Sequence, residues 1–527
     1  MFDPLLLLVV AAPAAWFLLL LLPVGPANRN ALRLGRLTEW LAVLAAVGAV
    51  AGAAAVAAGG GQPVVLSAGG IATVYLDVFS SAMSLLIAFI GWVIVRYSRV
   101  YLAGDPGRGV FLKWLGGSLA SVFLLVISGN LALLLVAWIC TSLCLHQLLA
   151  FYPERPAAVL SARKKFLFSR VADVCLLGAV VLIHRHFGTL ELPAILSHAR
   201  EMAGGAVPWA VTGAVALLAA GAILKSAQFP FHTWLPDTLE TPTPVSALMH
   251  AGIISAGGFL LIRLSPLVVL APGVMGVLVA VGAVTAIFGS LVMLTQTSIK
   301  KSLAFSTVSQ MGYMILQCGL GLFGLAALHL VAHSLYKAHA FLSSGTVVAQ
   351  KAPPALSDQP AAHSPAGFLA LLVAGAVIVA GTGALFGVSL EKEPGVIVLG
   401  AVLVMALTTL LHGSLAAGRG HLFRSLALAA GIGTAYFALH HAANWLLASA
   451  LPDAPPPVGL ASALLMAGVV AAFAAVFFLQ CHLTEIHKTS WGRRLYVLIF
   501  NRFYINAFVN RLVARLWPVT THQHTTP

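Results

Sequence analysis

"KSAQFPFHTWLPDTLETPTPVSALMHAG", residues 225–252, sets a lysine, two histidines, an aspartate, a glutamate and four prolines in one of the most hydrophobic parts of the chain. Such groups are scarce here. Of the 527 residues, 60% are hydrophobic and only 8% charged, and the mean hydropathy is +0.98. One soluble globule could not hide so much apolar surface. Apolar runs close to the roughly 20 residues needed to cross a bilayer recur along almost the whole chain. The composition therefore predicts an all-α polytopic membrane protein. A barrel would instead read as ten-residue alternating strands.

The hydropathy pattern places about fifteen spans, at roughly 4–24, 38–58, 77–97, 111–129, 130–152, 165–186, 206–240, 243–262, 272–294, 299–318, 321–350, 364–389, 394–417, 421–448 and 458–483. The first has no basic flank, follows Asp3, and reads as a retained span, not a cleaved leader. The seventh would be about 50 Å long as one straight helix, against an apolar core of about 30 Å. Pro230 removes a backbone donor and crowds the preceding turn, which predicts a break near Lys225 to Phe229.

The +14 net charge follows topology. Sorting Lys and Arg by side gives 22 on one face and 4 on the other, with Arg170, Lys225 and Lys337 left at membrane depth. The positive-inside rule then puts the N-terminus outside and the C-terminus in the cytoplasm. After the last span, Trp491 to Pro518 mixes arginines with aromatic and aliphatic residues. It reads either as an amphipathic helix on the membrane surface or as a docking helix for a partner. The final "VTTHQHTTP" reads as a disordered tail.

Several functions are disfavoured. Cys140, Cys144, Cys175, Cys318 and Cys481 lie in or at the ends of apolar helices, which argues against disulfides, and none forms a CxxC or a Cys/His zinc spacing. No Gly-rich nucleotide loop or Ser/His/Asp signature occurs, so an enzyme acting alone and nucleic-acid binding are both disfavoured.

A charge in the bilayer costs about 3 kcal/mol, so the remaining polar residues are candidates for function. Arg170 and Asp173 share a helix face and can pair, as a structural ion pair or with Asp173 serving a lysine on another helix. Lys225 sits at the expected break, where transporters build ion sites from free backbone groups. His250 lies about two turns into a helix opened by Pro242 and Pro244, and imidazole can pass a proton. His329, His333 and Lys337 recur every four residues and line one helix face, while His339 points elsewhere. Two such histidines could hold a metal, but Lys337 would repel it, so a hydrated proton path is the better reading. Lys300 and Lys301 begin a helix whose polar face continues through Ser306, Thr307, Ser309 and Gln310.

"KSAQFPFHTWLPDTLETPTPVSALMHAG", "IKKSLAFSTVSQMGYM" (299–314) and "LHLVAHSLYKAHAFLSSG" (328–345) together resemble the proton-conducting antiporter-like family. That family includes the large membrane-arm subunits of respiratory complex I and the Mrp-type sodium/proton antiporters. The resemblance covers about residues 110–350. It implies two inverted five-helix repeats with broken helices, here 111–262 and 263–417. They would be flanked by N-terminal spans (1–110), C-terminal spans (418–483) and a cytoplasmic helix and tail (484–527). It further implies that Lys225 is the central broken-helix lysine and His250 the next relay. His329, His333, Lys337 and Lys300 would link onward to the second half-channel.

Two departures stand out. The family usually has a glutamate after the tryptophan of the fifth span; here that position is Ile139, and Asp173 is the available replacement. The family's charge in the broken twelfth span is also absent, because residues 367–390 carry none. With "FYPERPAAVLSARKKFLFSR" (151–170) and the basic-aromatic tail, these departures resemble the membrane subunits of bacterial two-component inorganic carbon accumulation complexes. That likeness implies a bacterial plasma (inner) membrane location and no cofactor in this chain. It also implies a large peripheral partner similar to a zinc carbonic anhydrase, with H⁺ or Na⁺ as the conducted ion. An Mrp-type antiporter or a complex I-like pumping subunit is the alternative. On the first reading, Lys225 and Asp173 would load the ion, His250 would relay it, and the His329/His333/Lys337 face would connect to the cytoplasmic partner side.

Overall fold

In the computed structural model, residues 4–68, 72–345, 365–415, 419–452, 459–482, 486 and 488–517 are described. Among the described residues, each of the fifteen apolar segments lies at least in part on helix, and the seventh leaves its helix at Lys225. The described helices before the first break are α1 (Pro4–Leu19), α2 (Val24–Arg29), α3 (Ala31–Ala58), α4 (Val78–Tyr101), α5 (Arg108–Ile127), α6 (Leu131–Leu149), α7 (Pro156–Phe187), α8 (Leu192–Glu201) and α9 (Trp209–Lys225). Next come α10 (Thr243–Ala251), α11 (Ala256–Arg263), α12 (Ser265–Val268), α13 (Pro272–Thr295), α14 (Ile299–Gly319) and α15 (Phe323–Leu342). The last are α16 (Pro365–Leu385), α17 (Val396–Leu415), α18 (Arg419–Leu447), α19 (Leu460–Cys481), α20 (Ser490–Phe500) and α21 (Ile505–Leu516). Ten helical segments among the described residues are long and apolar enough to cross a membrane, the α10–α11 stretch counting as one. The all-helical expectation misses one antiparallel hairpin, β1 (Val64–Ala68) and β2 (Ala72–Leu76).

Helix α7 shows how this sequence folds for lipid. Val171, Val174, Leu177 and Val181 recur at helical spacing and are exposed. Lys165, Ser169 and Asp173, spaced by four, are buried on the inward side. The helix is thus inverted relative to one in water: apolar groups face out and polar groups face a partner-lined interior.

Helix contact without a hydrophobic drive between helices depends on small residues that let backbones approach. Helices α13 and α14 meet this way. Added Cβ atoms at Gly282 and Gly289 would collide with the Leu316 and Ser309 backbone, and one at Gly319 with Val279. A first core joins α1 through α15, and a second joins α16–α19 to α13–α15.

Two breaks open this scaffold. Helix α9 ends at Lys225, five residues before Pro230, as the proline predicts. The eighth segment, expected to be continuous, also breaks, between α10 and α11 at Gly252 to Ser255. The breaks face each other, since the Ser226 hydroxyl donates to Ile254 O at 2.9 Å. The freed Phe229 N–H donates to Thr285 Oγ1 at 3.0 Å. Such satisfaction is required wherever a helix opens inside a membrane protein.

The C-terminal segment has a resolution the sequence left open. It is two helices, α20 and α21, joined at Arg502–Tyr504, and it docks on its own chain. Lys164 binds Asp237, Asn506 and Asn510, while Arg502 and Asn506 also reach Asp237, at 3.4 and 3.3 Å. Arg163 donates to Trp517 O at 2.9 Å. The expected tail from Val519 lies outside the described residues.

Candidate ion path

The first cluster is organised by α6. Trp138 presents its carbonyl to the Lys225 ammonium at 3.1 Å and its ring face to the same group at 4.4 Å. One turn on, Ser142 accepts from Lys165 through its carbonyl at 2.6 Å and its hydroxyl at 3.0 Å. Both lysines are buried. Lys165 read as a cytoplasmic anchor in the sequence because it ends a basic run, 163–165; the structure buries it with Lys225. A signal for it existed: it lies eight residues before Asp173, on the same face.

Asp173 sits on α7 where that helix meets α9. Arg170 Nη2 is 2.7 Å from Asp173 Oδ2, yet neither carboxylate oxygen has an aligned hydrogen-bond donor. Lys225 lies within the electrostatic reach of Asp173, as does Lys165. Asp173 thus pairs with Arg170 and lies within reach of both lysines. Ile139 is packed against the core beside this cluster and supplies no charge. The cluster offers up to three cations to one carboxylate.

The second cluster centres on His250. Leu303 O accepts from both Lys337 Nζ at 3.2 Å and Thr307 Oγ1 at 3.0 Å. The Thr307 hydroxyl also lies 3.0 Å from His250 Nδ1, and His250 Nε2 is buried with no partner. Its ring stacks on Phe341 at 4.2 Å. His333 Nε2 donates to His250 O at 3.2 Å. His329 Nδ1 pairs with Gln317 at 2.9 Å, and its Nε2 is also buried and unpartnered. The His329 and His333 rings are 6.0 Å apart.

The structure sets His329, His333 and Lys337 along one helix, as the spacing predicts, brings His250 beside them, and adds Thr307 and Gln317. Lys300 lies at the edge of this cluster, donating to Thr243 Oγ1 at 3.2 Å. Ser309 is not part of the path, for it donates to Ala286 O in the α13–α14 seam. No direct hydrogen bond among the described residues joins Lys225 to His250; the two clusters touch through the paired breaks. Arg263, placed by sequence in an outer loop, is buried with Asp77 at 2.6 Å, between the rings of Tyr75, Phe79 and Phe259. That pair staples the hairpin to α11.

Residues 128–380 match the family described as NADH:quinone oxidoreductase/Mrp antiporter, and residues 72–112 match the complex I chain 5 N-terminus. The chain is 40% identical over 438 residues to "Probable inorganic carbon transporter subunit DabB2" of Halothiobacillus neapolitanus, covering 82% of this chain and 78% of that one. A second relative, "Probable inorganic carbon transporter subunit DabB" of Hydrogenovibrio crunogenus, is 38% identical, with 82% and 81% covered. The chain belongs to the DabB family. DabB proteins sit within the wider antiporter-like group: NADH-quinone oxidoreductase subunit L of Mycobacterium tuberculosis is 42% identical over 278 residues, 52% of this chain and 43% of that one. The fold matches the Mrp complex from Dietzia sp. with a TM-score of 0.62 at 24% identity, over 99% of this chain. This chain spans 58% of that Mrp chain.

Proposed function

We propose that this chain is the ion-conducting membrane subunit of an inorganic carbon transporter. A cation, H⁺ or Na⁺, moves down its gradient through the chain, and the movement drives uptake of CO₂ or bicarbonate by a large DabA-like partner holding zinc. The chain itself performs no bond-making chemistry. Its membrane is the bacterial inner membrane, with the basic face and the C-terminus cytoplasmic.

The observation that carries this reading is the buried polar row inside an otherwise apolar bundle. Each member would be expensive to bury without a use. Lys225, Lys165 and Asp173 exchange the ion at the broken α9. His250, with a free Nε2, passes it toward His333, His329 and Lys337. Thr307 orients the His250 ring, and a neutral imidazole can accept a proton. The names of the DabB relatives supply the substrate class.

The relation to subunit L favours an alternative, a pumping or antiporting subunit of a larger membrane machine. The co-purifying partner separates the two. A zinc-bearing peripheral protein agrees with the proposal, and a set of small membrane subunits agrees with the alternative. The functional test is bicarbonate uptake under an imposed H⁺ or Na⁺ gradient, comparing wild type with Lys225→Ala. Gradient-dependent uptake lost in the variant is expected; uptake unchanged by both gradient and variant contradicts the proposal.

A further inference from the structure

Between α16 and α17 lies a short loop, residues 386–395, on the face opposite the basic loops. It holds a cavity of about 130 Å³ lined in part by Ser389, Lys392, Glu393, His440, His441 and Asn444. Glu393 Oε2 is 2.6 Å from His440 Nε2, and Glu393 Oε1 accepts from Asn444 Nδ2 at 2.7 Å. The His440 side chain is only 4% exposed, and its Nδ1 is buried with no partner. The loop packs on the α14–α15 turn: an added Cβ at Gly395 would lie 2.8 Å from Leu320 O, and one at Gly324 would collide with Asn444 Oδ1. Gln317 lies in the last turn of the helix before that turn, and His329 lies in the second turn of the helix after it. The dyad therefore sits over the turn that these two residues of the polar row flank.

We propose that Glu393 and His440 form a proton-binding dyad, open to the face opposite the basic loops, through which the chain exchanges its proton with that side. This rests on the reading that the chain conducts a cation, and it assigns that cation as a proton. A hard metal cation needs several oxygen ligands. Here both carboxylate oxygens are engaged by nitrogen groups, and Lys392 stands at the cavity wall. An imidazole sharing a proton with a carboxylate is instead a proton carrier. Burial alone would raise the Glu393 carboxyl, but the hydrogen bond and charge of His440, with the Asn444 amide, outweigh it and hold it below its ordinary value. The other titratable groups facing the dyad are Lys392, His441 and Tyr436.

The test uses the full chain with its co-purifying partner in membrane vesicles, and two variants, Glu393→Gln and His440→Gln. The glutamine at 440 can still donate to Glu393, so a purely structural latch survives it, whereas a proton carrier does not. Proton flux is expected to fall by at least about tenfold in both variants, with thermal stability of His440→Gln unchanged. Infrared difference spectra are expected to show a carboxyl band that grows on acidification, vanishes in Glu393→Gln, and moves to higher pH in His440→Gln. Near-wild-type flux in His440→Gln, or no titrating band assigned to Glu393, overturns the dyad, as does flux that requires Na⁺. A titrating band in a wild-type chain that passes no ion would uphold the dyad and overturn the conduction reading.

Discussion

At the scale of single residues, the polar row depends on which buried polar atoms are satisfied. Thr307 is the clearest case, because one hydroxyl bridges the Leu303 carbonyl and His250 Nδ1. Thr307→Val should cost about 2 kcal/mol, read as a lower unfolding temperature, since buried polar groups lose their partner. It should also lower ion flux, and Thr307→Ser should restore both. Lys165 carries a second prediction: Lys165→Ala should reduce gradient-driven uptake about as much as Lys225→Ala, with assembly unchanged. Glu393 gives a pH dependence with a definite sign. Its carboxyl is held below the ordinary value in the folded chain, so its ion pair stabilises the chain above that ordinary value. The contribution is lost as pH falls through the folded value, and Glu393→Gln should flatten the acid limb of a stability profile. Lys225, His250 and Lys337 were legible from sequence because each is a costly polar group within or at the end of an apolar helical run. Lys165 was not, because the run 163–165 reads as an anchor at a helix end. Glu393 and His440 are 47 residues apart, and only the packing of α18 on the loop unites them.

At the scale of elements, the breaks and the C-terminal helices matter most. The first break was legible because proline acts locally. The second, at Gly252, was not, because glycine is common in membrane helices and marks a break only in context. The C-terminal helices turn on Arg502, Phe503 and Tyr504, all at positive φ, 57°, 54° and 58°. None is glycine, and each such residue costs about 1 kcal/mol or more. The polar clamp of Lys164, Asp237, Asn506 and Asn510 offsets that strain. Asp237→Ala strands the buried Lys164 ammonium and should cost about 3 kcal/mol, with α21 becoming accessible to protease. Tyr504→Gly should do the opposite, raising the unfolding temperature by relieving about 1 kcal/mol. The sequence left α20–α21 open between membrane surface and partner because an amphipathic face does not say what covers it. Here part of the cover is the chain's own α7 and the loop after the first break.

At the scale of the whole molecule, the charge sorting and hydropathy made the polytopic helical fold legible, and three motifs carried the family. What sequence could not supply is the order of contact inside the bundle. Two polar clusters form, one on α6, α7 and α9 and the other on α10, α14 and α15, and they meet where two breaks face each other. The departure at Ile139 gains a physical meaning from this arrangement: the carboxylate near Lys225 comes from α7, through Asp173, and a second lysine joins it. The central claim is that this row conducts the ion that drives uptake. The most direct measurement is bicarbonate uptake under an imposed cation gradient in Lys225→Ala and Asp173→Ala, each assembled with its partner as in wild type. Loss of at least about tenfold in both is predicted; gradient-driven uptake retained in both would contradict the account.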